Sequence, residues 1–183
     1  MSAINEQFVF PIDINDHRRA NLYRHALSFL EVYAIKYVKF DRVNCCRQEE
    51  VIAITMGQIP IWDSKVDPDQ LEFPFTVVGP TEFTSADIPG VPIMFPVPIF
   101  QLGADEFIKG SVILERGNAA THARWKAVST VAIAEKDEGY ELTIGTVGVL
   151  TPDEIRARIE EGIQPALKQE PVAKFFTLSR PRL

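Results

Sequence analysis

The sequence predicts a mixed α and β chain rich in short strands, and three observations predict it. Apolar residues recur at three- and four-residue steps near both ends, as one face of a helix requires. Between those ends, short runs of β-branched and aromatic residues are divided by Gly and Pro turns, as strands are. After the last such run stands a helix-start signal, Thr151-Pro152-Asp153-Glu154.

In chain order, Gln7 to Ile12 alternates as a first strand, and Pro11 puts it at an edge or a strand end. A helix of about four turns follows over Asp16 to Leu30, capped by Asn15 or Asp16, with a stripe of Ala20, Tyr23, Ala26, Leu27 and Leu30. Tyr33 to Val43 is apolar on both faces, as expected of a strand covered on both sides. Glu49 to Met56 reads as a short helix with acids in its first turn and Gly57 at its end, and Pro60 prevents continuation.

From Trp62 to Leu102 short strands such as Phe75 to Val78 lie between Gly-Pro and Pro-Gly turns, an irregular β-region. Phe107 to Glu115, Ala127 to Ala134 and Tyr140 to Thr146 are better strands, the last two joined by the charged turn Glu135 to Glu138. The capped helix from Thr151 carries Ile155, Ile159, Ile163, Ala166 and Leu167 along one edge, and Pro165 should kink it.

With 183 residues, 46% of them hydrophobic, the chain holds enough apolar material for one domain or two small interleaved ones. Thirteen prolines and ten glycines are spread along it, which signals many turns and no low-complexity linker. Net charge is −6 and basic groupings are as small as His17-Arg18-Arg19, so no face is built to neutralise a phosphate backbone. No cationic start with an apolar run, and no stretch of ~18 apolar residues, marks a secretory signal or a membrane span. A soluble intracellular protein is expected.

The residues that carry chemistry are sparse. Cys45 and Cys46 are adjacent, a spacing that neither a structural zinc site nor an ordinary disulfide uses. His17 and His25 lie eight apart instead of the four that lets two imidazoles on a helix share a metal. His122 has no serine or cysteine nucleophile motif beside it. Glu49-Glu50 suits a helix start, Glu160-Glu161 a polar helix face, and Asp105-Glu106 a solvated turn. Gly-rich phosphate loops are absent, and Phe75, Phe95 and Phe100 read as core aromatics. The one enzymatic alternative is a small β-rich hydrolase or ligand-binding enzyme using His122 with Asp105 or Glu106.

Several segments in collinear order carry a resemblance. Ala20-Asn21-Leu22-Tyr23-Arg24-His25 is similar to an Asn-x-Leu-Arg-Arg helix, with Tyr23 and His25 departing from it. Glu49-Glu50-Val51-Ile52-Ala53-Ile54-Thr55-Met56-Gly57-Gln58-Ile59-Pro60-Ile61 is similar to an acidic-Glu-x-Ile-Ala-His-Arg-Leu-Gly-Leu-Ile-Pro-Leu segment, with Ile54 and Thr55 in place of His-Arg. Thr84-Ser85-Ala86-Asp87-Ile88 resembles a Thr-Ala-x-Asp-Ile turn, and Pro98-Ile99-Phe100-Gln101-Leu102 a Pro-Ile-x-x-Leu strand. Thr121 to Ala127 resembles a His-Ala-Lys-Trp-x-Pro loop, and Tyr140 to Glu154 a strand, loop and capped helix. In this order the segments resemble those of the RNA polymerase alpha-like family, which comprises the third-largest subunit of eukaryotic RNA polymerase II, its archaeal counterpart and the bacterial alpha N-terminal domain.

The resemblance implies an α+β fold in which helices pack on an antiparallel sheet. A two-part dimerisation domain, residues 1–47 and 137–183, would be interrupted by a β-rich insert domain, residues 48–136. It implies a non-catalytic assembly subunit of DNA-directed RNA polymerase, without cofactor or metal, located in the transcription complex of a nucleus, a cytoplasm or a large-DNA-virus particle. Implied partners are a smaller homologous alpha-like subunit, the second-largest polymerase subunit and small accessory subunits, with no direct nucleic-acid contact and no membrane. Tyr23, Ala26, Leu27, Leu30, Ile155, Ile159, Ile163 and Leu167 would face the smaller partner. Arg24, Glu50, His122, Arg124 and Trp125 would face the large subunit.

Overall fold

The computed structural model describes residues 7–12, 17–137 and 139–163. The expected caps Asn15 and Asp16, the kink at Pro165, the apolar-edge position Ala166 and the interface position Leu167 lie outside the described residues, as does the side chain of His17.

Strand β1 (Gln7–Ile12) pairs antiparallel with β8 (Gly139–Thr146), and β8 pairs with β7 (Val128–Lys136), so the order of this sheet is β1-β8-β7. Helix α1 (His17–Leu27) lays Leu22, Tyr23, Ala26 and Leu27 against it. The helix is a turn shorter than its apolar stripe predicts. The Ser28 amide and hydroxyl both turn back to the His25 carbonyl and the Phe29 amide bonds Ala26, which tightens the last turn and ends the helix.

The opposite end of the chain completes this core. In α3 (Pro152–Arg158) the Thr151 hydroxyl accepts from the Glu154 amide at 3.2 Å and the Glu154 carboxylate accepts from the Thr151 amide at 2.7 Å, the reciprocal cap that the sequence predicts. A wider, π-helical turn, Ile159–Ile163, continues it. A strict four-residue repeat drifts about 40° per step round a 3.6-residue helix, and the wider turn brings the third isoleucine back inward. Ile155, Ile159 and Ile163 are thereby buried with Phe10, Leu142 and Ile144.

The second sheet has the order β2-β6-β3, with β2 (Val32–Asn44) and β3 (Glu72–Val78) antiparallel to a central β6 (Phe107–Gly117). Phe73, Phe75 and Val77 alternate inward on β3, and Pro74 points outward on its free edge. Strand β2 departs from expectation. Its start is buried at Val32, Ala34 and Ile35, but Tyr37 is 52% exposed. Irregularities in register after Ile35 and after Phe40 turn the strand, and as an edge strand it is covered only over its first residues. A short ladder of β4 (Thr81–Thr84) and β5 (Pro98–Leu102) and helix α2 (Glu49–Met56) close the second core, with Ile52, Met56, Phe83 and Leu102 inside. Phe83 stacks on Phe75 at 5.7 Å and meets Phe100 edge-on at 5.9 Å, so these aromatics are core.

Two cores result. One draws on residues 10–32 and 127–163, the other on residues 35–114. Asp63 joins them: its carboxylate accepts from the Tyr33 amide at 2.7 Å and from Arg158 Nη2 at 2.5 Å, and its amide donates to the Val149 carbonyl.

Candidate interaction surface

A groove of about 880 Å³ runs along the join between the two cores. Ala34, Ile35 and Tyr37 of β2 and Ala53 and Ile54 of α2 line one side, and Phe95, Val147 and Val149 line the other. Helix α2 explains the exposed apolar wall. Ile52 and Met56, four apart, take the inward face, which leaves Val51 and Ile54 outward at 41% and 65% exposure. Gly148, at φ +79°, carries the opposite wall past the Phe95 ring, which lies 2.5 Å from where a Cβ would stand.

The loop after β6 closes one end. Trp125 donates its indole N–H to the Glu115 carbonyl at 2.9 Å and packs over Gly117, where a Cβ would come within 2.6 Å of the ring. His122 meets Trp125 edge-on at 6.2 Å, and the Arg124 guanidinium lies 5.7 Å from the centre of the Trp125 ring. Arg124 donates its amide and its Nε to His122 Nδ1, and Nη1 reaches the carbonyls of Ile35 and Lys36 at the β2 irregularity. His122 Nδ1 is therefore an acceptor and its ring a structural support for the arginine.

Of the residues expected at a large-subunit contact, the structure brings His122, Arg124 and Trp125 together. Glu50 is exposed on α2, one turn before Ile54 and outside the groove lining. Arg24 is exposed but folded back, with Nε and Nη2 on the Val131 carbonyl at 3.1 and 2.7 Å. Of the residues expected to face a smaller partner, Tyr23, Ala26, Leu27, Ile155, Ile159 and Ile163 are buried in the chain's own first core, and Leu30 is partly buried against it.

The enzymatic pairing of His122 with Asp105 or Glu106 is not assembled. His122 sits beside Arg124 at Lys36, whereas Asp105 accepts from Asn44 at the other end of β2, roughly 25 Å away at ~3.3 Å per strand residue. Glu106 is also more than a solvated turn. Its carboxylate accepts from the Gly103 amide at 2.6 Å and the Cys46 amide at 2.7 Å, and these bonds hold it below the usual carboxylate range.

Burial pushes Glu154 up, but hydrogen bonds from Ser64 and Thr151 and the nearby Arg158 charge outweigh it and hold the group low. Cys45 and Cys46 are free thiols. Among the described residues no group of three or more His, Cys, Asp or Glu could hold a metal ion, and no helix is long and apolar enough to cross a membrane.

Sequence reasoning missed the Asp63–Arg158 bond, because no pattern links residues so far apart in the chain. It also missed the groove, although a signal existed: Val51 and Ile54 are apolar residues of α2 that lie off the Ile52 and Met56 stripe.

Fold and surface together define an α+β chain with two joined cores and an apolar, cation-ended groove between them. No family model matches the chain. Over 167 residues it is 24% identical to the DNA-directed RNA polymerase subunit Rpo3 of Methanocaldococcus jannaschii, an alignment covering 89% of this chain and 86% of the relative. At low identity and over nearly its whole length, the chain is thus similar to an archaeal subunit of DNA-directed RNA polymerase.

Proposed function

We propose that the chain is an assembly subunit of a multisubunit DNA-directed RNA polymerase that pairs with a smaller homologous subunit and recruits the second-largest subunit and small accessory subunits. The observation that carries the reading is the length of the similarity to a polymerase subunit, which runs through both cores and not one motif. The division into a dimerisation domain, residues 1–47 and 137–183, and an insert, residues 48–136, belongs to this proposal.

In this reading Tyr23, Leu27, Ile155, Ile159 and Ile163 hold α1 and α3 on the first sheet, and the smaller partner meets the outward sides of those helices. His122, Arg124 and Trp125 form the large-subunit face, with Arg24 and Glu50 at its margins. The role is scaffolding. Phosphoryl transfer and its metal ions then belong to the large subunits, and this chain acts within the transcription complex.

Affinity purification of the tagged chain from its native source tests the reading. Two very large polymerase subunits should co-purify in stoichiometric amount, and their absence from a preparation that retains a well-folded tagged chain overturns it.

A further inference from the structure

We propose that the groove between the two cores seats a linear segment of a partner protein in which a large apolar side chain stands beside a carboxylate. The inference rests on reading this face as a subunit contact, and it names the chemistry of the occupant.

Charge is the first argument. The chain carries a net charge of −6, yet the groove is lined by Lys36, Arg124 and Lys126 and by no Asp or Glu. Lys36 is already paired with Glu115 at 2.7 Å. Arg124 is not compensated. Its acceptors are two carbonyls and an imidazole nitrogen, none of them a carboxylate, so they orient the guanidinium without cancelling its charge. Lys126 is exposed and has no ion pair among the described residues. An oriented guanidinium with an exposed ammonium beside it, at the end of an apolar trough, selects a carboxylate attached to apolar surface. These two cations are too few to hold a nucleic-acid backbone, whose binding draws on many phosphate contacts.

Shape is the second argument. Ile54 and Tyr37 stand 65% and 52% exposed at the mouth of the groove. A small molecule enclosed at the bottom would leave both in water, whereas a polypeptide crossing the mouth covers them. The segment does not join as an added strand, because Arg124 occupies the Ile35 and Lys36 carbonyls of the β2 edge that such a strand would need. It docks through side chains, as an amphipathic helix does, with the apolar residue between Ile54 and Phe95 and its acid on Arg124 and Lys126.

A random 16-residue peptide library displayed on phage and selected on the full-length chain tests this. The variants Ile54→Asp and Lys126→Glu serve as counter-selections, since both side chains are exposed and circular dichroism should be unchanged. Enriched peptides should carry Leu, Ile, Phe or Trp within one helical turn of Asp or Glu. Each variant should bind them about tenfold more weakly, and peptides with the acid changed to Lys should recover binding on Lys126→Glu.

No enrichment, enrichment without an acid, or binding to both variants as tight as to the wild type overturns the proposal. Failure here while the large polymerase subunits still co-purify removes the groove assignment and spares the assembly role. Success here without those subunits does the reverse.

Discussion

The Arg158 guanidinium meets the Asp63 carboxylate at 2.5 Å across the join between the two cores, and the same arginine bonds the Glu31 carbonyl at 2.9 Å. Asp63 is 7% exposed and also accepts the Tyr33 amide. The carboxylate thus fixes the end of α3 and the start of β2, and the Asp63 amide holds the loop at Val149. Asp63→Ala leaves a donor on each of two elements unpaired and should cost about 2–3 kcal/mol, discounted because Arg158 is partly exposed. Asp63→Asn retains an acceptor for the Tyr33 amide and should cost about 1 kcal/mol. Urea midpoints should rank wild type, Asn, Ala, and equal midpoints for Asn and Ala would show that the amide contact contributes nothing.

Acid should lower the stability of the chain. Glu154 and Glu106 both titrate below their ordinary value of 4.5 in the folded chain. Between the folded and unfolded values the unfolded chain binds more protons, so the stability these groups give is complete above about pH 4.5 and is lost as pH falls through the lower folded values. Unfolding midpoints measured from pH 6 to 3 should therefore drop, and Glu154→Gln should flatten the drop while costing about 1 kcal/mol at pH 6 through the weakened cap.

Gly148→Ala addresses the groove wall. At φ +79° the left-handed backbone costs a residue with a Cβ about 1–2 kcal/mol, before the contact with Phe95 is counted. Paired with Phe95→Ala, the change should cost less than the sum of the single variants, since the ring is then gone and only the backbone strain stays. Strict additivity in thermal unfolding would mean that the loop moves away from Phe95 freely.

Ile159→Asp should unfold the isolated chain and not merely part it from a partner. Ile159 is fully buried in the first core, and a carboxylate there costs on the order of 4 kcal/mol or more. Neighbouring Glu160 is exposed, so Glu160→Lys should stay within about 0.5 kcal/mol of wild type. Circular dichroism separates the two, and a folded Ile159→Asp chain would place that isoleucine in an interface after all.

Sequence alone determined what local chemistry determines. The Thr151 cap and the bounds of β1 and α2 depend on neighbours within a few residues, where period and capping residues decide the outcome. The apolar stripe from Ile155 to Ile163 was legible as well, but not what covers it. Burial is settled between elements, and only the β1-β8-β7 sheet, which joins the two ends of the chain, shows that the stripe closes the chain's own core.

The candidate site divides in the same way. His122, Arg124 and Trp125 are close in sequence and stay together in space. The carbonyls that aim Arg124 and the Asp63–Arg158 bond join residues from 88 to 95 positions apart. Contacts of that separation leave no periodic trace in the chain, because they depend on how two finished cores settle against each other, which only the tertiary structure decides.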